Sequence, residues 1–231
     1  MNDTTMMHVI ADVLSQAQVQ QVKQELDKAQ WQDGKLSAGH QAIKTKQNLQ
    51  LDENQPIAQQ LSEFILQTLS NNAQFMATAL PLKVFPPRFN RYQGGGTYGN
   101  HIDNAVLSVA NTPHRVRGDI SATLFLSEPE EYEGGELIIQ DSYGQHTVKL
   151  PAGQMVLYPS SSLHQVTPVT RGCRLATFFW VQSMVRQDHL RGILFDLDQA
   201  IQGISTEHPN STQIPKLIGV YHNLLRNWAE T

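Results

Sequence analysis

A single cysteine, Cys173, in 231 residues leaves no internal disulfide framework, so the fold must hold by burial and hydrogen bonding, as in proteins of a reducing compartment. Basic blocks are missing too. Seventeen Lys and Arg stand against 21 Asp and Glu, a formal net charge of −4, which argues against nucleic acid or an anionic membrane as the main partner. No apolar run approaches the roughly 18 to 20 residues that cross a bilayer, and the first residues lack the basic start and apolar middle of a secretory signal. The expectation is a soluble, cytoplasmic chain with one main core.

What the chain does contain changes texture twice. Ser15 and Gln18 have the spacing of a capping box, and Val19, Val22, Leu26 and Ala29 follow at helical intervals, so a helix is expected over 16–30. Residues 35–50 are polar and yield no assignment. A second helix is expected from Asn54 as cap and Pro56 in the first turn, with Ile57, Leu61, Phe64, Ile65 and Leu69 as its apolar stripe, then a shorter one through Phe75 and Met76. From Leu82 the period shifts from 3.6 to 2. Short runs separated by turn residues follow, among them Ile120–Ser127, 136–140, a hairpin through Tyr143, 155–158, 163–169 and Cys173–Val181. Beyond Gln182 the helical period returns in two segments, which could cover a sheet face or carry a homodimer contact. The fold class is α+β: a double-stranded β-helix, or jelly roll, with N-terminal and C-terminal helices packed on it. The expected parts are a helical support region over 1–81, a core over 82–182 and a helical extension over 183–231.

Within the β region, His101 and Asp103 follow the run Gly94-Gly95-Gly96, read as a hinge or lid. On extended backbone, residues two apart point to one side. His164, sixty-one residues after Asp103 and at the start of a strand, can supply a third ligand. Two imidazoles and one carboxylate on one face of an ion leave the opposite positions open, the facial triad of non-heme Fe(II) oxygenases. Arg174 shares a strand face with Ala176, Phe178 and Trp180. A guanidinium on an apolar inward face needs an anion, and the distal carboxylate of 2-oxoglutarate fits its fork. A distant Asp or Glu is the alternative partner.

With those residues in place, the chain resembles the Fe(II)/2-oxoglutarate-dependent dioxygenases of the prolyl/lysyl hydroxylase class, above all the bacterial PKHD-type hydroxylases with their iron-uptake-factor group. The resemblance is carried by Phe89-Asn90-Arg91-Tyr92, by Thr97 through Asp103, by Leu124 through Ser127, by Gly134-Gly135-Glu136-Leu137, by Leu157 through His164, by Arg174 through Trp180, and by the closing Tyr221 through Trp228. It implies that His101, Asp103 and His164 are the catalytic iron ligands, that Arg174 anchors 2-oxoglutarate, and that Tyr92 lines the cosubstrate pocket. It further implies that L-ascorbate rescues oxidised iron and that the substrate is a peptidyl prolyl or lysyl side chain or a siderophore-type small molecule. One departure is Phe125, where several prolyl hydroxylases have a tyrosine, so Arg174 would rely on Ser121, Thr123 or water for help. Retention of Asp103 argues against halogenation, since related halogenases lack that carboxylate.

Other residues read as structural. His8, His40, His114, His146, His189, His208 and His222 are taken as surface or packing residues, Tyr143 and Tyr158 as structural, and Cys173 as facing away from the pocket. The acidic loop Glu128, Glu130, Glu131 and Glu133 is a solvated connection, or, at a pocket mouth, a preference for cationic substrates. The competing functions are a non-oxidative cupin-type metal enzyme using zinc or manganese and a non-enzymatic jelly-roll binding module.

Overall fold

The computed structural model describes residues 7–37, 45–110, 112–142 and 144–231; His40 and Tyr143 lie outside the described residues. Strand β1 (His8–Ile10) leads into helix α1 (Gln16–Lys28). The expected capping box is formed: the Ser15 side chain accepts from the Gln18 N–H and the Gln18 side chain answers the Ser15 N–H. Strand β2 (Trp31–Asp33) precedes β3 (Lys46–Gln47) and β4 (Leu49–Leu51), so the segment before residue 82 contributes strands as well as helices. Helices α2 (Pro56–Ser70) and α3 (Ala73–Ala79) follow. The cap of α2 differs from expectation. It is Gln55, because the amide of Asn54 is turned back onto the Asp52 carboxylate.

Strands β5 (Pro81–Val84), β6 (Arg88–Gln93), β7 (Thr97–His101), β8 (Val106–Ser108), β9 (Arg115–Arg117) and β10 (Ile120–Phe125) come next. They are followed by β11 (Tyr132–Gly134), β12 (Leu137–Asp141), β13 (Gly144–Val148), β14 (Met155–Pro159), β15 (Leu163–Val166) and the long β16 (Val169–Ser183). Two helices, α4 (Asp188–Glu207) and α5 (Ile214–Trp228), close the chain. The large antiparallel sheet runs β1-β14-β10-β16-β6-β4-β2, with β11 and β5 pairing opposite ends of β16. The smaller sheet runs β13-β12-β15-β7-β3, and β8-β9 form a separate ribbon. This is the α+β jelly roll with flanking helices.

Strand β10 shows how the layers are built. Its alternation was expected to separate two faces, yet every residue of it is buried. Ile120, Ala122, Leu124 and Leu126 join Val19, Val22, Leu26, Leu61, Ile65 and Phe75 in the cluster under the helices. Phe125 points the other way, into a second cluster between the sheets with Tyr92, Tyr132, Leu137, Val156 and Val166. The large sheet is therefore covered on both faces, and Ser121 and Thr123 are carried into the interior opposite the small sheet.

The glycine run is a turn between β6 and β7, with positive φ at Gly94 (56°) and Gly95 (86°), the region glycine enters without steric penalty. It is tied down on both sides. The Gly95 N–H donates to the Val169 carbonyl at 2.8 Å, and the Val169 N–H donates to the Gly96 carbonyl at 2.9 Å. None of the three lines the cavity described below, so the lid reading fails. The acidic loop is also elsewhere: Glu131 pairs with Lys23 of α1, and Glu128 accepts from the Ala152 N–H. At the other end, Arg117 holds Asp119 at 2.7 Å and Glu230 at 2.9 Å, fastening the segment after α5 to the barrel.

Candidate metal centre and cosubstrate pocket

His101 is the last residue of β7 and His164 lies in β15, and the antiparallel register sets them directly opposite each other. Facing positions on neighbouring strands project to the same side, which puts the two ring centroids 4.1 Å apart. Asp103 lies just beyond the end of β7 rather than within it, and the chain still brings its carboxylate back to both rings. His101 Nε2 is 4.0 Å from Asp103 Oδ1, and His164 Nε2 is 3.7 Å from Oδ2. One ligand atom from each residue lies within 4.8 Å of the others.

The backbone fixes the imidazole tautomers. His101 Nδ1 is 2.8 Å from the Gly99 carbonyl oxygen, and His164 Nδ1 is 3.0 Å from that of Ser162. A carbonyl oxygen can only accept, so both Nδ1 atoms carry the hydrogen and both Nε2 lone pairs face Asp103. Burial, then the neighbouring His164, hold His101 down at about 4, so its imidazole stays neutral at physiological pH, the form a metal requires. The ring of Tyr98 stacks on His101 with centroids 3.6 Å apart and 16° between planes. Ser121 donates to Asp103 Oδ2 at 2.6 Å, and its oxygen accepts from the Ser160 hydroxyl at 2.8 Å. Ser121 thus serves the carboxylate, not Arg174.

The three residues line a cavity of about 660 Å³, together with Arg174, Tyr92 and Thr123. Arg174 is 1% exposed. Its Nε and Nη2 are buried with no hydrogen-bond partner among the described residues. Nor is any Asp or Glu ion-paired with it there. Its guanidinium carbon stands 5.4 Å from the Tyr92 ring and 5.1 Å from that of Phe125, so Phe125 offers a cation–π surface in place of a hydroxyl. Burial pushes the Tyr92 phenol up to about 12, against the pull of Arg174. A guanidinium withdrawn from water and left with open donors is costly unless a ligand meets it. Two imidazole nitrogens, one carboxylate and an unmatched guanidinium in one cavity fit a divalent metal with a dicarboxylate beside it.

Cys173 faces the helix side, where it accepts from Arg91 Nε at 3.3 Å. Phe178 and Trp180 do both jobs, packing in a core cluster with Phe85, Leu107 and Val116 and lining the cavity. Tyr158, read as structural, also lines it and meets the edge of His164 at a centroid distance of 5.1 Å. The sequence also gave no sign of Lys46, Arg88 or Asn90 in the wall.

Gly135 supports the arginine. At φ 68°, a Cβ added there would stand 2.8 Å from Val169 Cγ2, 3.0 Å from Tyr132 Cε2 and 3.1 Å from Arg174 Cδ. Gly135→Ala is expected to push the Arg174 stem aside and raise KM for 2-oxoglutarate roughly tenfold, with a smaller change in kcat, because misplacing a positioning group weakens what it holds. Steady-state succinate formation at varied 2-oxoglutarate checks this, and an unchanged KM would show that the stem adapts.

Comparison with known proteins agrees with this geometry. The 2OG-Fe(II) oxygenase superfamily profile matches residues 87–182, and the PKHD-type hydroxylase C-terminal domain profile matches residues 188–230. A PKHD-type hydroxylase of Parvibaculum lavamentivorans is 58% identical over 226 residues, 98% of this chain and 100% of that one. The PKHD-type hydroxylase PiuC of Pseudomonas aeruginosa is 52% identical, covering 97% of this chain and 99% of its own. Among solved structures, a Pseudomonas putida prolyl-4-hydroxylase has a TM-score of 0.54 at 21% identity, covering 78% of this chain and 94% of its own. A Trichoplax adhaerens prolyl hydroxylase in complex with a peptide has a TM-score of 0.56 at 16% identity, over 83% and 87%. These two show the shared fold, while the sequence relatives carry the assignment: the chain belongs to the PKHD-type hydroxylases, Fe(II)- and 2-oxoglutarate-dependent enzymes of the 2OG-Fe(II) oxygenase superfamily.

Proposed function

We propose that His101, Asp103 and His164 hold Fe(II), that Arg174 grips the distal carboxylate of 2-oxoglutarate with Tyr92 beside it, and that the enzyme hydroxylates a C–H bond of its substrate. The observation that carries this reading is the buried, unmatched guanidinium of Arg174 in the same cavity as the three metal-ligand side chains. Bound Fe(II) supplies activation of dioxygen: one oxygen atom enters succinate as 2-oxoglutarate loses CO2, and the other converts substrate C–H to C–OH.

The chain's own residues supply position. The Gly99 and Ser162 carbonyls keep both Nε2 atoms available, and Ser121 restrains one oxygen of Asp103. Leu107, Phe178 and Trp180 give the cavity an apolar side that keeps water away from the reacting centre. Residues 82–182 serve as the catalytic unit, with 1–81 supporting it and 183–231 covering it. L-ascorbate maintains the reduced metal, and the protein works in the cytoplasm on a peptide or small-molecule substrate. Among the described residues, no helix is long and apolar enough to cross a membrane.

The test is reconstitution of purified protein with Fe(II), 2-oxoglutarate and dioxygen, with and without ascorbate. Succinate should form, faster with ascorbate, and a screen of prolyl and lysyl peptides and siderophores should give a product heavier by one oxygen. Activity with zinc or manganese and no succinate with iron would favour the non-oxidative cupin-type enzyme instead.

A further inference from the structure

One wall of the cavity is needed by neither the metal nor the cosubstrate. It is formed by Lys46 of β3 and by Arg88 and Asn90 of β6. Lys46 is 5% exposed and Asn90 8%. Arg88 Nε and Asn90 Oδ1 are buried with no hydrogen-bond partner among the described residues. The two side chains are two apart on one strand and so share a face. Lys46 reaches in from the small sheet, where its Nζ donates to Gln50 Oε1 at 3.1 Å and stands 5.3 Å from the centroid of the Tyr98 ring that stacks on His101. Burial, then the charge of Arg88, draw Lys46 down to about 8, with Asp103 and Asp33 pulling the other way. Arg88 has Glu53 at 2.5 Å, but on Nη2, which leaves Nε aimed elsewhere. A buried guanidinium N–H and a buried amide oxygen left open side by side are costly unless a ligand satisfies them.

We infer that this wall binds the primary substrate through a carboxylate set between Lys46 and Arg88 and an adjacent N–H directed at Asn90 Oδ1. The substrate is then an acylated amino acid, met either as a small molecule or as the C-terminus of a peptide. The inference rests on the dioxygenase reading, which reserves Arg174 for 2-oxoglutarate. Lys46, Arg88 and Asn90 are specificity residues in this scheme, since they sort substrates without entering the reaction.

The test uses Zn(II)-substituted full-length protein saturated with 2-oxoglutarate, which does not turn over, and follows binding by ligand-observed NMR. The probes are N-acetylglycine, N-acetylglycinamide, which lacks the carboxylate, and N-acetylsarcosine, which lacks the N–H. N-acetylglycine should bind about tenfold more tightly than either, the value of one hydrogen bond to a charged or buried partner. Lys46→Met should erase the preference over the amide and Asn90→Ala the preference over sarcosine, with 2-oxoglutarate affinity unchanged in both, which also reports that the variants are folded. Acetyl-Ala-Ala-Gly binding more tightly than N-acetylglycine marks a peptide C-terminus as the source; equal or weaker binding marks a small molecule. Three probes bound alike, no probe bound, or a loss of 2-oxoglutarate affinity in Lys46→Met overturns the inference alone. Failure of the parent protein to bind 2-oxoglutarate overturns the dioxygenase reading as well.

Discussion

Asp103→Ala is expected to lower 2-oxoglutarate turnover by about a thousandfold or more while leaving the protein folded. The carboxylate contributes the one anionic ligand atom in the cluster, and without it the two imidazoles would hold a divalent ion through neutral donors alone. Little of the fold depends on it. Asp103 sits in the loop after β7, where it accepts a hydrogen bond from Ser121, which keeps Ser160 as a second partner. The check is succinate formation by purified, metal-supplemented variant beside the parent, with circular dichroism and a thermal melt on the same samples. Decarboxylation at the parent rate would remove Asp103 from the metal site, and a collapsed melting curve would make it a structural residue instead.

Parts of this site were legible because the signal was local or because burial left few options. His101 and Asp103 are two apart, and His164 is matched to His101 by strand register, a relation that a β period makes readable at long range. Arg174 stood out as a charge on an apolar face, and it is buried with open donors. The polar segment 35–50 was unreadable for the opposite reason. Lys46 and Asn48 line the cavity and Gln50 is buried where it accepts from Lys46, so polar side chains stand where apolar ones would mark a half-buried strand. Ser121 is one of three helpers the sequence allows Arg174, because strand parity places it on the interior face, and only the crossing of β10 with the loop after β7 decides that it meets Asp103. The glycine run shows the same limit: permissive residues read as mobile, yet two backbone hydrogen bonds to Val169 pin them.

Arg174→Met should separate stability from cosubstrate binding. In the ligand-free protein Arg174 is 1% exposed, its Nε and Nη2 lack partners among the described residues, and its guanidinium carbon stands within 5.4 Å of the Tyr92 and Phe125 rings, with the Tyr132 phenol also sensing its charge. Methionine has comparable length, no charge to desolvate and a thioether that packs well on Tyr92 and Phe125. Replacing buried charge by apolar side chains of similar volume is often neutral or stabilising by about 1–4 kcal/mol, so the ligand-free variant is expected to melt no lower than the parent. Its affinity for 2-oxoglutarate should fall by about a hundredfold or more, since two charge-assisted hydrogen bonds to a carboxylate are lost together. A thermal melt of both proteins in the presence of an inert divalent metal, with and without 2-oxoglutarate, reads both quantities. The parent should gain stability with ligand concentration as linkage requires, and the variant should gain almost none. A ligand-free variant destabilised by several kcal/mol would mean that Arg174 is paired structurally. Undiminished stabilisation by 2-oxoglutarate would place the distal carboxylate on another cation, with Lys46 and Arg88 the cations that share the cavity.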